Sequence, residues 1–177
     1  MSIIVDNPIQ NNLSVNMPIS FTSKDSHKLS EIHKKNINIS ILERILDNKI
    51  IYGAKQILNE NLELNLSEVV KFENVLGMLK ERLGHSSSIS YLLEDISNLV
   101  KMFCEFFDQE KVWVRIDAID KPMCPRFHTD FVKCRMVTTY IWPGTQWLPY
   151  KLVDRSKLGH GNQSQMINKD YSKKPFN

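Results

Sequence analysis

The spacing of apolar residues changes near Glu110, and this change constrains the fold more than any other feature of the sequence. Over residues 86–110 apolar residues recur every three or four positions, as on one face of an α-helix. Residues 111–120 alternate instead, as in a strand with one buried face. We therefore predict an α+β fold, with helices over about residues 38–110 and a small, mostly antiparallel sheet over about residues 111–153.

Residues typical of helix termini indicate where the individual helices begin and end. Asn38 or Ser40 is a candidate N-cap for a first helix, and Ser67 for a second. Gly84 is placed to stop that second helix, and Ser86–Ser88 to open a third. Cys104 falls on the apolar face of the third helix, which predicts a small buried hydrophobe rather than a reactive thiol.

The flanking segments are predicted to carry little regular structure. Residues 1–35 are rich in Asn, Ser and Lys and predict a mostly irregular arm, and residues 154–177 predict a loose tail. Residues 36–177 would then form one domain. Strands over 111–120 and 127–140, with a turn at Trp142–Thr145, are too few to close a barrel, so we expect an incomplete jelly-roll or cupin-like sheet.

Composition excludes several classes of protein. The chain is 42% hydrophobic and 24% charged, which is typical of a globular domain rather than a disordered chain. No stretch approaches the length of a membrane span, and the N-terminus does not resemble a secretory signal, so we expect no membrane partner. Three cysteines at irregular spacing argue against a disulfide framework and predict a cytoplasmic protein.

Charge is distributed unevenly along the chain. Residues 1–110 hold 11 Lys and Arg against 15 Asp and Glu, whereas residues 111–177 hold 12 against 5. The basic second part could attract a small anionic ligand, or its lysines could simply be solvated. The basic residues are scattered and no nucleic-acid-binding motif accompanies them, so nucleic acid is not an expected partner.

The segment Cys124-Pro-Arg-Phe-His-Thr-Asp130 carries the most suggestive chemistry. On a strand, residues two apart point to the same face, so His128 and Asp130 could converge on one metal ion. An imidazole and a carboxylate are two of the three ligands in the facial triad of non-haem Fe(II) oxygenases. The alternative is a surface histidine paired with a nearby carboxylate.

Further candidates surround this pair. His160 is the downstream histidine that could complete a triad, although its flanking glycines also suit a surface loop. Cys124 and Cys134 could instead contribute to a Zn(II) site. Arg126 and Arg135 could bind the carboxylate of a cosubstrate such as 2-oxoglutarate, or could form structural ion pairs.

Three segments together resemble a family of bacterial proteins known as domain of unknown function 1826. They are the FHTD segment, the strand Arg135-Met-Val-Thr-Thr-Tyr140 and the turn Pro143-Gly-Thr-Gln-Trp-Leu148. The close resemblance covers about residues 112–161, and the helical part resembles the family only in general character. The family's activity is not established, so the resemblance implies only that His128 and Asp130 are candidate metal ligands.

The resemblance also leads us to expect that the chain ends short of the family's later segment, which would carry closing strands and a distal histidine. Three functions follow as hypotheses. The chain could be an Fe(II)- and 2-oxoglutarate-dependent enzyme with an incomplete site, a non-catalytic zinc-binding or interaction module, or an inactive truncated fragment. The sequence does not choose among them and leaves the oligomeric state open.

Overall fold

A computed structural model of the chain describes residues 2–6, 19–120, 127–128, 132–141 and 143–154. These residues form six β-strands, three α-helices and three short 3-10 helices, so the predicted α+β class is confirmed. Contacts divide the chain into two compact units. Of the described residues, the helical unit comprises 44–120, 139–141 and 143–144, and the sheet unit comprises 2–6, 19–43, 127–128, 132–138 and 145–154.

The sheet unit is built around its N-terminal strand. Its strands are β1 (Ser2–Asp6), β2 (Ile19–Ser23), β3 (Ile37–Glu43) and β6 (Arg135–Thr138), in the order β2-β3-β1-β6. Strand β1 runs antiparallel to both of its neighbours, whereas β2 runs parallel to β3. Ile3 and Val5, which share one face of β1, are fully buried, as is Ser40, which stands opposite Val5 on β3.

A 3-10 helix, Ser26–His33, belongs to the same unit. The Asp25 carboxylate caps it by accepting a hydrogen bond from the backbone N–H of His27 at 3.0 Å. Leu29 and Ile32 of this helix are buried. The helix contacts β3 extensively and thereby supplies apolar cover that the sheet alone would lack.

The helical unit places three helices with a two-stranded sheet. Helices α1 (Asn48–Glu60), α2 (Val75–Leu83) and α3 (Ser90–Phe107) accompany the antiparallel pair β4 (Asn65–Lys71) and β5 (Lys111–Asp117). Asp47 caps α1 through a 2.8 Å hydrogen bond to the Lys49 N–H. The core takes residues from every one of these elements: Ala54, Ile57, Leu66, Val70, Val75, Met78, Leu79, Ile89, Leu92, Leu93, Ile96 and Val114.

Two predicted elements coincide with the structure because their patterns are local and long. Helix α3 and strand β5 lie where the change of period places them. The predicted stop at Gly84 is confirmed, since α2 ends at Leu83 and Gly84 has a φ of +95°, which an L side chain rarely adopts. Cys104 is 3% exposed, which confirms its assignment to the core.

The prediction that helices are the only regular structure over about residues 38–110 is wrong. Residues 37–43 form β3, so Ser40 lies in mid-strand rather than at a helix N-cap, and Ser67 lies within β4. The misleading evidence is the spacing of Ile41 and Ile45, because Ile45 lies beyond the strand and is fully exposed. The alternating isoleucines at 37, 39 and 41 are the correct indication of a β-strand.

The prediction of a mostly irregular N-terminal arm with one short extended piece gives too little regular structure, since two strands, β1 and β2, and the 3-10 helix lie within residues 1–35. Within 127–140 only Arg135–Thr138 forms a described strand. Among the described residues the sheets do not close into a barrel. That residues 36–177 form one domain stays a prediction. Residues 155–177 of the predicted tail lie outside the described part of the chain.

No helix in the described part of the chain combines the length and the apolar character needed to cross a membrane.

Two helical glycines offer a test of how closely α1 packs. A Cβ at Gly53 of α1 would lie 3.1 Å from the Ser88 carbonyl oxygen and 3.2 Å from the Ile89 Cα. Because backbone atoms cannot readily give way, we expect Gly53→Ala to lower the free energy of unfolding by roughly 1–3 kcal/mol. Urea unfolding measures this change directly.

Gly77 of α2 is the matched control, since a Cβ there would meet nothing within 4 Å. We expect Gly77→Ala to raise the free energy of unfolding by about 0.5–1 kcal/mol, because alanine is the better helix former. Equal effects of the two substitutions would contradict the close approach at Gly53.

Candidate functional site

The structure describes only part of the segment that the sequence singles out. Phe127 is half-buried and His128 is exposed. Four of the candidates, Arg126, Asp130, Cys124 and His160, lie outside the described residues. Their predicted roles therefore stay predictions.

Cys134 and Arg135 lie at the start of β6, in the same unit as His128. Both side chains are half-buried, and Arg135 stands opposite Asp6 of β1 in the register of the sheet. No three His, Cys, Asp or Glu side chains gather as metal ligands within the described part of the chain. A metal site at His128 would thus need ligands from residues of the motif that lie outside the described part of the chain.

The described residues do contain a polar cluster that the sequence analysis missed, formed by Arg44, Asp95 and Tyr140. Arg44 donates two hydrogen bonds to Asp95, at 2.6 and 2.7 Å from its two terminal nitrogens to the two carboxylate oxygens. The Tyr140 hydroxyl donates a third, at 2.6 Å to Oδ2. All three residues belong to the helical unit.

The cluster is sheltered from water, which strengthens its electrostatics. The side chains of Arg44 and Asp95 are only 18% and 14% exposed. The Arg44 guanidinium also lies 5.8 Å from the centre of the Tyr140 ring. Tyr140 and its neighbour Ile141 pack against the core of the helical unit, so the charged pair is closed in by apolar groups.

Burial and hydrogen-bonded partners shift the pKa values of Tyr140 and Arg44. Burial raises the pKa of Tyr140 far above its ordinary value, and the negative charge of Asp95 raises it further. Burial by itself would lower the pKa of Arg44, but the hydrogen bonds and the charge of Asp95 outweigh it and the net shift is upward. Tyr140 is therefore a neutral hydrogen-bond donor and Arg44 is a permanent cation at every physiological pH.

Two members of the cluster, Arg44 and Tyr140, come shortly after strands of the sheet unit in the sequence, and both are bonded to Asp95. Arg44 directly follows β3, and Tyr140 is the second residue after β6. Tyr140 also ends the Arg135–Tyr140 segment of the family-like motif. These three side chains have the geometry of a structural anchor, since every oxygen of Asp95 is already engaged within the cluster.

One feature of the sequence could have revealed Asp95. It lies three residues after Leu92 and four before Leu99, both buried, so a carboxylate falls on the apolar face of α3. A charge in such a position needs a partner of opposite sign. The partner, Arg44, is 51 residues away in the chain, and the sequence does not identify it.

We expect Asp95→Ala to lower the free energy of unfolding by on the order of 3 kcal/mol, because the substitution leaves the buried Arg44 guanidinium without its counter-ion. Glu105→Ala is the control on the same helix. Glu105 lies 3.9 Å from Lys101 with both side chains more than 60% exposed, so its loss should cost less than about 1 kcal/mol. Similar losses in both variants on urea unfolding would contradict the anchor.

The raised pKa of Tyr140 predicts a particular dependence of stability on pH. A raised folded-state pKa gives a stabilisation that is complete below the unfolded-state pKa, about 10, and is lost as the pH rises above it. We therefore expect the stability difference between the wild type and Tyr140→Phe to narrow from about pH 9 to pH 11. Urea unfolding across this range measures it, and a constant difference would contradict the buried hydroxyl.

Comparison with known proteins supplies the family. No curated protein and no solved structure matches the chain. The sequence model of a family described as "Protein of unknown function (DUF1826)" matches residues 23–174, a longer stretch than the motifs alone suggested. That match includes the helical unit as well as the FHTD, TY and PGTQWL segments, and the chain therefore belongs to the DUF1826 family.

Proposed function

We propose that this DUF1826 protein is a metal-binding protein whose site lies in the Cys124–Asp130 segment, with His128 and Asp130 as ligands of Fe(II). The observation that carries the proposal is the exposed imidazole of His128 within the FHTD motif. An exposed histidine beside a carboxylate two residues away has the donor types of a facial triad. Fe(II) in such a site supplies the capacity to activate O₂ for oxidation of a bound substrate.

The third ligand in this proposal is His160. A histidine near the chain's end, flanked by Gly159 and Gly161, can reach a site elsewhere because glycine permits many backbone conformations. The proposal needs no third ligand from the described residues, where no such cluster exists.

Arg126 and Arg135 are the proposed binders of an acidic cosubstrate such as 2-oxoglutarate. Arg135 is half-buried at the start of β6 and lies in the same unit as His128. A guanidinium that is partly withdrawn from water binds a carboxylate more strongly than an exposed one does. A small anion is therefore the proposed ligand.

Two further parts of the proposal concern the fold and the location of the protein. The wider sheet forms part of an incomplete cupin-like barrel, and the protein is located in the cytoplasm.

A second candidate function is a non-catalytic zinc module. It is favoured by Cys134, a half-buried thiol six residues from His128, together with Cys124 in the motif itself. Thiolates and imidazole are the donors of structural zinc sites. This candidate predicts zinc preference and no O₂-dependent turnover.

Anaerobic titration of the full chain with Fe(II) and Zn(II) tests the proposal. We expect one metal ion to bind per chain, and His128→Ala and Asp130→Ala each to weaken binding at least about tenfold. His85→Ala is the matched control, because His85 is equally exposed but lies in the helical unit, and it should bind as the wild type does.

The outcomes separate the candidates. Loss of binding in both ligand variants, with Cys124→Ser and Cys134→Ser unaffected, supports the Fe(II) site. Loss of zinc binding in the cysteine variants supports the zinc module instead. Binding that is indifferent to His128 and Asp130 would contradict the proposed site.

A further inference from the structure

The paired strands β4 and β5 present an exposed side that the core does not use. Their inward-facing residues Leu66, Val70 and Val114 are buried. The opposite side, which we call the outer face, consists of alternate residues on the two strands: Asn65, Ser67, Val69 and Lys71 on β4, with Lys111, Trp113, Arg115 and Asp117 on β5. This face lies within the helical unit.

Trp113 is the centre of the outer face. Its side chain is 63% exposed, and Val69, directly opposite in the register, is 71% exposed. The indole Nε1–H donates a hydrogen bond to the Ser67 hydroxyl at 2.8 Å. Ser67 stands opposite Arg115, which is two residues after Trp113 on β5. The hydrogen bond therefore holds the indole ring diagonally across the strand pair, where it forms a fixed aromatic surface.

Two lysines lie at one end of the face, two residues from Trp113 on β5 and two residues from Val69 on β4, on the side away from Ser67. Lys71 and Lys111 are directly opposite in the register, and both are exposed. Like charges in directly opposed positions destabilise a sheet. No carboxylate of the described residues forms an ion pair with either lysine, whereas Arg115 is paired with Asp117 at 2.7 Å. The lysine pair therefore has a local energetic cost that an anion would relieve.

We propose that the outer face binds single-stranded nucleic acid, with a base stacked on Trp113 and a backbone phosphate held between Lys71 and Lys111. Residues two apart on a strand are about 6.5–7 Å apart, so a phosphate at the lysine pair lies one nucleotide's reach from a base on the ring. An exposed aromatic ring next to cations is the arrangement used to bind single strands without sequence preference. This inference does not depend on the proposed metal site.

Charge favours an external anion over the longer segments of the chain that the structure does not describe. Segment 7–18 is uncharged, segment 121–126 carries two basic residues and no acidic one, and segment 155–177 carries five basic residues against Asp170. None of these three complements a pair of lysines, and segment 129–131 offers only the single carboxylate of Asp130. An acidic peptide would satisfy the lysines, but it offers no flat group for Trp113, so a nucleotide fits both halves of the face better.

The prediction from sequence did not include a nucleic-acid partner, and folding explains why. Lys71 belongs to the acidic first part of the chain and Lys111 opens the basic second part, 40 residues later. Lys111 lies two residues from Trp113 on β5, but only the register of β4 against β5 brings Lys71 to the same end of the face.

The test is binding of the full chain to fluorescein-labelled oligothymidylate and oligouridylate of about ten nucleotides, followed by anisotropy and by quenching of tryptophan fluorescence. We expect Trp113→Ala to weaken binding about ten- to hundredfold, and Trp113→Phe, which keeps a stacking surface, to weaken it far less. Lys71→Gln and Lys111→Gln combined should reduce the slope of log affinity against log salt by about 0.7, the value for one phosphate, and each alone by less.

Matched controls lie elsewhere on the helical unit. Tyr91→Ala removes an exposed ring that already has Lys49 at 4.5 Å from its centre, and Lys55→Gln removes an exposed helical lysine. Both should bind as the wild type does. Circular dichroism and urea unfolding establish that the Trp113 variants are folded.

Three results would overturn the proposal. The first is no binding to either oligonucleotide at about 50 mM salt. The second is binding that the Trp113 and lysine variants leave unchanged. The third is tighter binding to an oligoglutamate peptide than to the oligonucleotides, which would assign the face to an acidic protein partner.

Discussion

The hydrogen-bonded ion pair between Arg44 and Asp95, completed by the Tyr140 hydroxyl, is the interaction on which the chain's organisation most depends. A carboxylate on the apolar face of α3 would destabilise the helix's packing unless its charge were satisfied. The two donors that satisfy it come from the residue after β3 and from the second residue after β6. One carboxylate thus ties two distant chain segments into the helical unit, at the positions where the chain passes between the units.

This arrangement bears on the proposed metal site through the chain's connectivity. The FHTD motif precedes β6 and the PGTQWL turn follows Tyr140, so the motif segments are interrupted by a residue with a fixed partner. Tyr140 contributes a neutral hydroxyl to that anchor, and burial and Asp95 raise its pKa so that it stays neutral well into the alkaline range. We therefore regard the tyrosine of the family-like TY pair as a structural residue, and the histidine and aspartate of FHTD as the candidates for chemistry.

Local patterns predicted α3, β5, the stop at Gly84 and the burial of Cys104, because each depends on residues within one turn or strand. Strands β1 and β2 have only five residues each and gain their identity from partners elsewhere in the chain, whereas β3 was missed because the spacing of Ile41 and Ile45 was given more weight than its alternating isoleucines. Strand β1, for example, pairs with β6, which lies about 130 residues later in the chain. The same non-local pairing hid the Arg44–Asp95 contact and the Lys71–Lys111 pair, whereas the FHTD motif was visible because it is contiguous.

The central claim is that His128 and Asp130 bind a metal ion through nitrogen and oxygen donors. X-ray absorption spectroscopy of the zinc-loaded full chain tests it most directly, because zinc binds thiolates readily when they are available. The account predicts a first shell of nitrogen and oxygen at about 2.0–2.2 Å, with no sulfur. A shell containing sulfur at about 2.3 Å, or a spectrum unchanged in His128→Ala, would contradict it.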